Sequence, residues 1–431
     1  VRPELPRAGQ HALGLGAPRL SVLPTGVRVL SEAMPSAHSV SLGFWLPVGS
    51  RDEASNHLGA THFLEHLLFK GTATMSAAAI AESFDQVGGE ANALTAKEFT
   101  CYSARLLARD MPMAVRVLSE MVTSALLDPA AFEVERGVIL EELAMAADDP
   151  VDVTSEAFAK AVYGPSPLAR PIGGTPETIK LQTRDGVWAH YRQHYQPSAL
   201  VVTAAGLVDH DALVELVDQA LSVGGWGLPD AGPASPLPRR TVLEAAGSVG
   251  VSDVVTRPVE QAHVMIGCPG LTATDPRRWV LGVAATLLGG GMSSRLFQQI
   301  REQRGLAYAT YVTTDLYSDA GAFGLYAGCS PAVADQVAEL MDSIWTELAT
   351  DGVLDGELER AKGQISGGTI LALEDPAARM NRLGVAELVT GRWLSASDLL
   401  DRIDAGTAEQ GQDLVAELGA RARSHITVTP A

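Results

Sequence analysis

Cysteine is scarce in this chain of 431 residues: Cys101, Cys268 and Cys329 are the only three. They lie far apart and are odd in number, which excludes a disulfide framework. Cys101 and Cys329 sit in strand-like surroundings and read as core thiols. Positive charge is also short. Lys and Arg total 32 against 51 Asp and Glu, a formal net charge of -19. A general nucleic-acid binder shows the opposite sign. Acidic walls around a cavity would instead favour basic substrates. Glycine and proline are too sparse for a disordered or collagen-like chain. No uninterrupted apolar run reaches the length of a membrane span. Val1 to Leu15 lacks the basic-then-apolar order of a secretory signal. The expectation is a cytoplasmic protein with no nucleic-acid and no membrane partner.

With 46% hydrophobic residues, a chain this long is expected to build two or more domains. Residues 1–17 read as a loosely held arm. The best linker is 224–239, with Gly224, Gly225, Gly227, Pro229, Pro233, Pro236 and Pro238. It separates an N-terminal domain, 1–223, from a C-terminal domain, 240–431.

The N-terminal half is organised around His62-Phe63-Leu64-Glu65-His66. Thr61 stands where a helix cap is expected. On a helix His62 and His66 point the same way, and Glu65 shares their face. Phe63, Leu64 and Leu67 then face the core. Neutral imidazoles bind zinc and a neighbouring carboxylate serves as general base, the order of the inverted zinc-peptidase signature. A third ligand is needed. The helix predicted from Phe132 to Met145 carries Glu135 and Glu142 seven apart on one face, separated by an apolar run that suggests substantial burial. Buried carboxylates need a partner, and a metal is one. Glu142 is the expected third ligand, with Glu135 as its support or an alternate ligand; Glu141 competes, because sequence does not fix the helix rotation.

Around this motif, Ser39 to Pro47 alternates as a strand, with Val40, Leu42, Phe44 and Leu46 on one face. Ser76 caps a helix to about Val87, and Phe99 to Leu106 is a strand. The second half repeats the order. Gln261 to Cys268 is a strand, and Arg277 to Leu288 is a helix where the metal helix would stand, but without its His-Glu-His set. Gly289-Gly290-Gly291, a helix from Ser293 to about Gln303, paired strands and long helices follow. The reading is an α+β fold of duplicated domains, each a mostly antiparallel sheet with helices on one face, one copy active and one metal-free.

Five segments carry a family resemblance: His62 to Thr72, Gly88 to Ala93, Glu135 to Glu142, Leu288 to Phe297, and Arg301 to Tyr308. Over nearly all of residues 16–428 the chain resembles the pitrilysin-type inverted zinc-metallopeptidase family (M16), most closely its mitochondrial-processing-peptidase-like bacterial branch. The resemblance implies one Zn2+ per chain on His62, His66 and Glu142, with Glu65 as the base and Glu135 assisting. It implies a substrate-binding edge strand at Asn92, Ala93, Leu94 and Thr95, and Arg301 and Tyr308 reaching the substrate from the second domain. It also implies a clamshell around a chamber, working as a homodimer or as a heterodimer with an inactive homologue. The activity implied is endopeptidase cleavage of extended or unfolded peptides, with a preference for basic ones. The alternatives are a non-catalytic or partner-dependent assembly subunit of the same fold, and a small-molecule hydrolase using the same zinc chemistry.

Overall fold

A computed structural model describes residues 17–228, 232–240 and 250–430. The arm read at 1–17 lies outside them except for its last residue, as does the part of the linker at 229–231. The strands are β1 (Arg19–Val22), β2 (Arg28–Ala33), β3 (Ser39–Leu46), β4 (Glu90–Thr95), β5 (Thr100–Leu107), β6 (Val201–Gly206), β7 (Ser252–Thr256), β8 (Ala262–Pro269), β9 (Ala307–Leu316), β10 (Gly321–Cys329) and β11 (Ser424–Thr429). Helices of the first half are α1 (Ala60–Leu68), α2 (Ala77–Asp85), α3 (Met111–Ser124), α4 (Pro129–Asp148), α5 (Pro150–Tyr163), α6 (Pro176–Leu181), α7 (Arg184–His194) and α8 (His210–Val223). Those of the second half are α9 (Arg278–Gly289), α10 (Ala334–Asp351), α11 (Glu357–Ala372), α12 (Pro376–Val389), α13 (Ala396–Asp404) and α14 (Ala408–Gly419). The helix expected from Ser293 is mostly a π-helix, Phe297–Glu302. Strand β7 had no counterpart in the sequence reading.

Two sheets result, ordered β1-β2-β6-β3-β5-β4 and β7-β11-β8-β10-β9. The duplication is visible in their pairing. In the first, β2 is parallel to β6 and the next three pairings are antiparallel. In the second, β7 is parallel to β11 and the next three are again antiparallel. The mixed α+β class with mostly antiparallel sheets is therefore the one expected.

The packing departs from a division at the linker. One compact unit is built from the described residues up to Leu143, with Pro171–Arg239 and Leu371–Ser397; the other takes Ala144–Arg170, Arg240–Ile370 and the chain from Asp398. Each unit thus borrows a helix from the other half of the sequence. In the first, α12 lies on β3 and β6. Its start is capped by the Asp375 carboxylate, which accepts from the Ala377 N–H. Glycines allow the close approach. A Cβ at Gly43 would lie 2.5 Å from Met380 Sδ, and one at Gly384 would lie 2.2 Å from the Trp45 ring. Ser41 and Trp45 are therefore buried along with Val40, Leu42 and Phe44. Helices cover both faces of β3, where alternation predicted one.

Buried charge fastens α12. Glu32 accepts from Arg379 at 2.8 Å and from Arg382 at 2.7 Å. Glu387 accepts from Arg28 at 2.9 Å, from Trp393 Nε1 at 3.0 Å and from Arg239. In the second unit α5 occupies the matching position on β8 and β11. Phe158 of α5 packs where a Cβ at Gly267 would lie 2.6 Å away.

Candidate metal centre

The N-terminus of helix α1 is capped two residues before the expected position. Gly59 is its N-cap, at φ +86°, a conformation that favours glycine. A Cβ there would lie 2.6 Å from Ile179 Cδ1. Thr61 falls inside the first turn, and its hydroxyl is 3.1 Å from His190 Nε2. The buried Glu53 carboxylate takes over the capping, accepting the Gly59 N–H at 2.7 Å and the Thr61 N–H at 2.8 Å. Negative charge at this end suits the helix dipole. Phe63, Leu64, Leu67 and Leu68 are fully buried, which turns His62, Glu65 and His66 to the opposite side.

Helix α4 is anchored on α1 by Phe132, whose ring stacks on Phe63 at 4.2 Å between centroids. Arg136 lies over the Phe132 ring at 5.0 Å and donates to Gln182 O at 2.9 Å. This fixes the rotation that sequence left open: Glu142, not Glu141, meets the histidines. The burial expected for this helix is not found. Only Phe132, Glu135 and Ile139 are buried on it, and the Glu142 side chain is 45% exposed. Of the two carboxylates it is Glu135 that is buried.

Three ligand atoms converge. His62 Nε2 and His66 Nε2 are 3.3 Å apart, and one Glu142 oxygen lies 3.4 Å from the second and 3.7 Å from the first. Donors about 2.0–2.1 Å from a tetrahedral cation stand about 3.4 Å from one another, so the spacing fits such an ion. The protonation also fits. Burial, with His66 close by, holds the His62 pKa down to about 4, leaving a neutral imidazole. His66 Nδ1 lies 3.0 Å from Glu135 Oε2, while Lys70 Nζ lies 2.8 Å from Glu135 Oε1. An ionised Glu135 can only accept, so His66 Nδ1 carries the proton and its Nε2 lone pair faces Glu142. Among the described residues these three side chains form the one cluster suited to a metal.

Glu65 lies on the same face of α1. Its carboxylate accepts from the Thr95 hydroxyl. Burial raises its pKa above the ordinary carboxylate value, against the Thr95 hydrogen bonds and His66, which lower it. Residues Asn92 to Thr95 lie on β4, the edge strand of their sheet. The Asn92 side chain turns back to accept the Ala93 N–H at 2.8 Å, and Leu94 is exposed.

Arg301 and Tyr308 belong to the second unit. The Arg301 guanidinium sits 4.6 Å from the Tyr308 ring centre and 4.7 Å from that of Phe297, and donates to Tyr308 O at 2.9 Å. Tyr308 itself is largely exposed.

Sequence reasoning passed over Lys70 and Glu53. Lys70 stands four residues after His66, the helical spacing that puts side chains on one face, which was the available signal. Glu53 had none, because a carboxylate in a turn six residues before a glycine is unremarkable until the turn folds back.

Residues 28–176 match the family model described as insulinase (peptidase family M16), and 182–365 match that of the peptidase M16 inactive domain. An uncharacterized zinc protease of Streptomyces coelicolor is 45% identical, covering 98% of this chain and 91% of that one. A similarly described protein of Bacillus subtilis is 35% identical, covering 91% of this chain and 93% of that one. Among solved structures, a protease from Helicobacter pylori matches the fold with a TM-score of 0.89 at 22% identity, covering 96% of this chain and 100% of that one.

Proposed function

We propose that this chain, which belongs to the M16 peptidase family, is a zinc-dependent endopeptidase holding one Zn2+ on His62, His66 and Glu142. The convergence of those three donors at tetrahedral spacing carries the reading. When bound, zinc supplies Lewis acidity toward a substrate carbonyl and acidifies water at neutral pH.

The chain's own residues supply the rest. Lys70 pairs with Glu135, and Glu135 orients His66 as a ligand. Glu65 is the general base: it takes a proton from the attacking water and returns it to the leaving amine. Its raised pKa suits a group that must both accept and release a proton. The edge of β4 offers main-chain hydrogen bonds to an extended peptide, a mode that reads backbone shape more than sequence. The net charge of -19 favours basic peptides. From the second unit, Arg301 and Tyr308 are assigned to the substrate, and a homodimer is the expected assembly.

Metal titration of chelator-stripped protein tests the ligand set. Wild type and Glu141→Ala are expected to bind one zinc per chain, and His66→Ala and Glu142→Ala to lose it. Zinc retained by Glu142→Ala at wild-type affinity would contradict the assignment.

A further inference from the structure

The general base and the edge strand are joined at one residue. Thr95 ends β4, pairs with Thr100 of β5 and is 6% exposed. The turn after it is pinned. Ala96 donates to Phe99 O at 2.8 Å and its carbonyl accepts from Ser50 at 3.1 Å, while the Lys97 carbonyl accepts from Arg51 at 3.0 Å. Thr95 is thus held from both sides, by the hairpin and by the segment leading into α1. Its hydroxyl donates to Glu65.

We propose that Thr95 is a positioning residue that fixes the Glu65 carboxylate, through a hydroxyl held rigid by the end of β4. This rests on the reading of Glu65 as base. A carboxylate on a helix has several rotamers at its outer torsions, and the hydrogen bond from the Thr95 hydroxyl selects among them. The Thr95 hydroxyl engages Glu65 Oε2 and leaves the remaining acceptor sites of the carboxylate for a proton. The hydroxyl is what a side-chain change at Thr95 removes. Losing it should affect the chemical step and spare zinc binding, because the Thr95 hydroxyl bonds to Glu65 rather than to His62, His66 or Glu142.

The test uses the full chain loaded with zinc and a quenched fluorescent peptide, comparing wild type with Thr95→Val, Thr95→Ala and Thr95→Ser. Valine and alanine are expected to lower kcat about 10- to 100-fold, the usual consequence of losing a hydrogen bond to a charged group, with zinc content unchanged and KM within about twofold. Serine keeps the hydroxyl and is expected to recover most of kcat. A kcat within about twofold of wild type in both the valine and alanine variants would overturn the proposal. A second readout needs no activity. In the zinc-free protein, the urea midpoint shift caused by Thr95→Ala should be present beside Glu65 and absent in a Glu65→Ala background. Equal shifts in the two backgrounds would overturn the contact itself. A wild type that binds zinc but cleaves nothing would count against the peptidase reading, and the cycle would still decide whether Thr95 holds Glu65.

Discussion

Glu135 links Lys70 to His66, with one carboxylate oxygen 2.8 Å from the ammonium and the other 3.0 Å from the imidazole Nδ1. The chain of contacts gives a buried carboxylate both an ion-pair partner and a donor on the imidazole proposed as a metal ligand. Without Lys70, the buried Glu135 carboxylate would lose its ion-pair partner. Without Glu135, His66 would be free to adopt the tautomer that turns a proton toward Glu142.

Both changes should therefore be felt at the metal. Lys70→Met and Glu135→Gln are expected to weaken zinc affinity by about 10- to 100-fold, the usual cost of removing a group that orients a ligand. Competition against a chromogenic chelator measures this. Unchanged affinity in both variants would mean that the contact is only a packing feature.

Behind α1, His190 is buried against Thr61, and its pKa is held down to about 3 by burial first, then by His194 and His57. An unfolded histidine titrates near 6.5. Between those values the unfolded chain binds a proton that the folded chain does not, so stability falls as the pH drops from about 6.5 toward 3. Above 6.5 the contribution is fully present. The slope from this one group reaches about 1.4 kcal/mol per pH unit. Urea midpoints of wild type and His190→Gln at several pH values should show a flatter profile for the variant; parallel profiles would contradict the account.

Glu387 receives Arg28, Arg239 and Trp393 at the contact that holds α12 on the first sheet. Glu387→Ala would strand the Arg28 guanidinium in a buried site. Breaking one side of such a pair costs about 3–5 kcal/mol. Chemical denaturation should show this loss, and a loss under about 1 kcal/mol would mean that water reaches the arginine.

The residues that spoke most clearly in the sequence were those whose chemistry depends on spacing within one helix. His62, Glu65 and His66 share a face by helical periodicity alone, and the structure brings His62 and His66 together with Glu65 beside them. Glu142 was the favoured partner, but only the stacking of Phe132 on Phe63 excludes Glu141. The argument that led to Glu142 was partly mistaken, since the buried carboxylate is Glu135 and Glu142 is half open to solvent. Thr61 looked like a cap because threonine commonly is one, yet Gly59 and the distant Glu53 perform that task.

The exchange of α5 and α12 was not legible. Periodicity says that a helix has an apolar side, not which sheet will cover it. Glycine is intrinsically unfavourable inside a strand or a helix, and the purpose of Gly43 and Gly384 appears only when Trp45 and Met380 are seen between them. Strand β7 was missed for a related reason. Its five residues, Ser252–Thr256, are largely exposed and have no buried face to generate a pattern; parallel pairing with β11 makes them a strand.

The most direct measurement of the central claim is zinc content together with cleavage of a quenched basic peptide, for wild type beside Glu65→Gln. Glutamine preserves the shape of the side chain but cannot take up the proton, and Glu65 is not among the three metal-facing ligands. The account predicts one zinc per chain in both proteins and cleavage by the wild type alone, with the variant slowed at least about 100-fold, within the range attributed to a general base. Cleavage by Glu65→Gln at the wild-type rate, or no zinc in either protein after metal-replete purification, would contradict it.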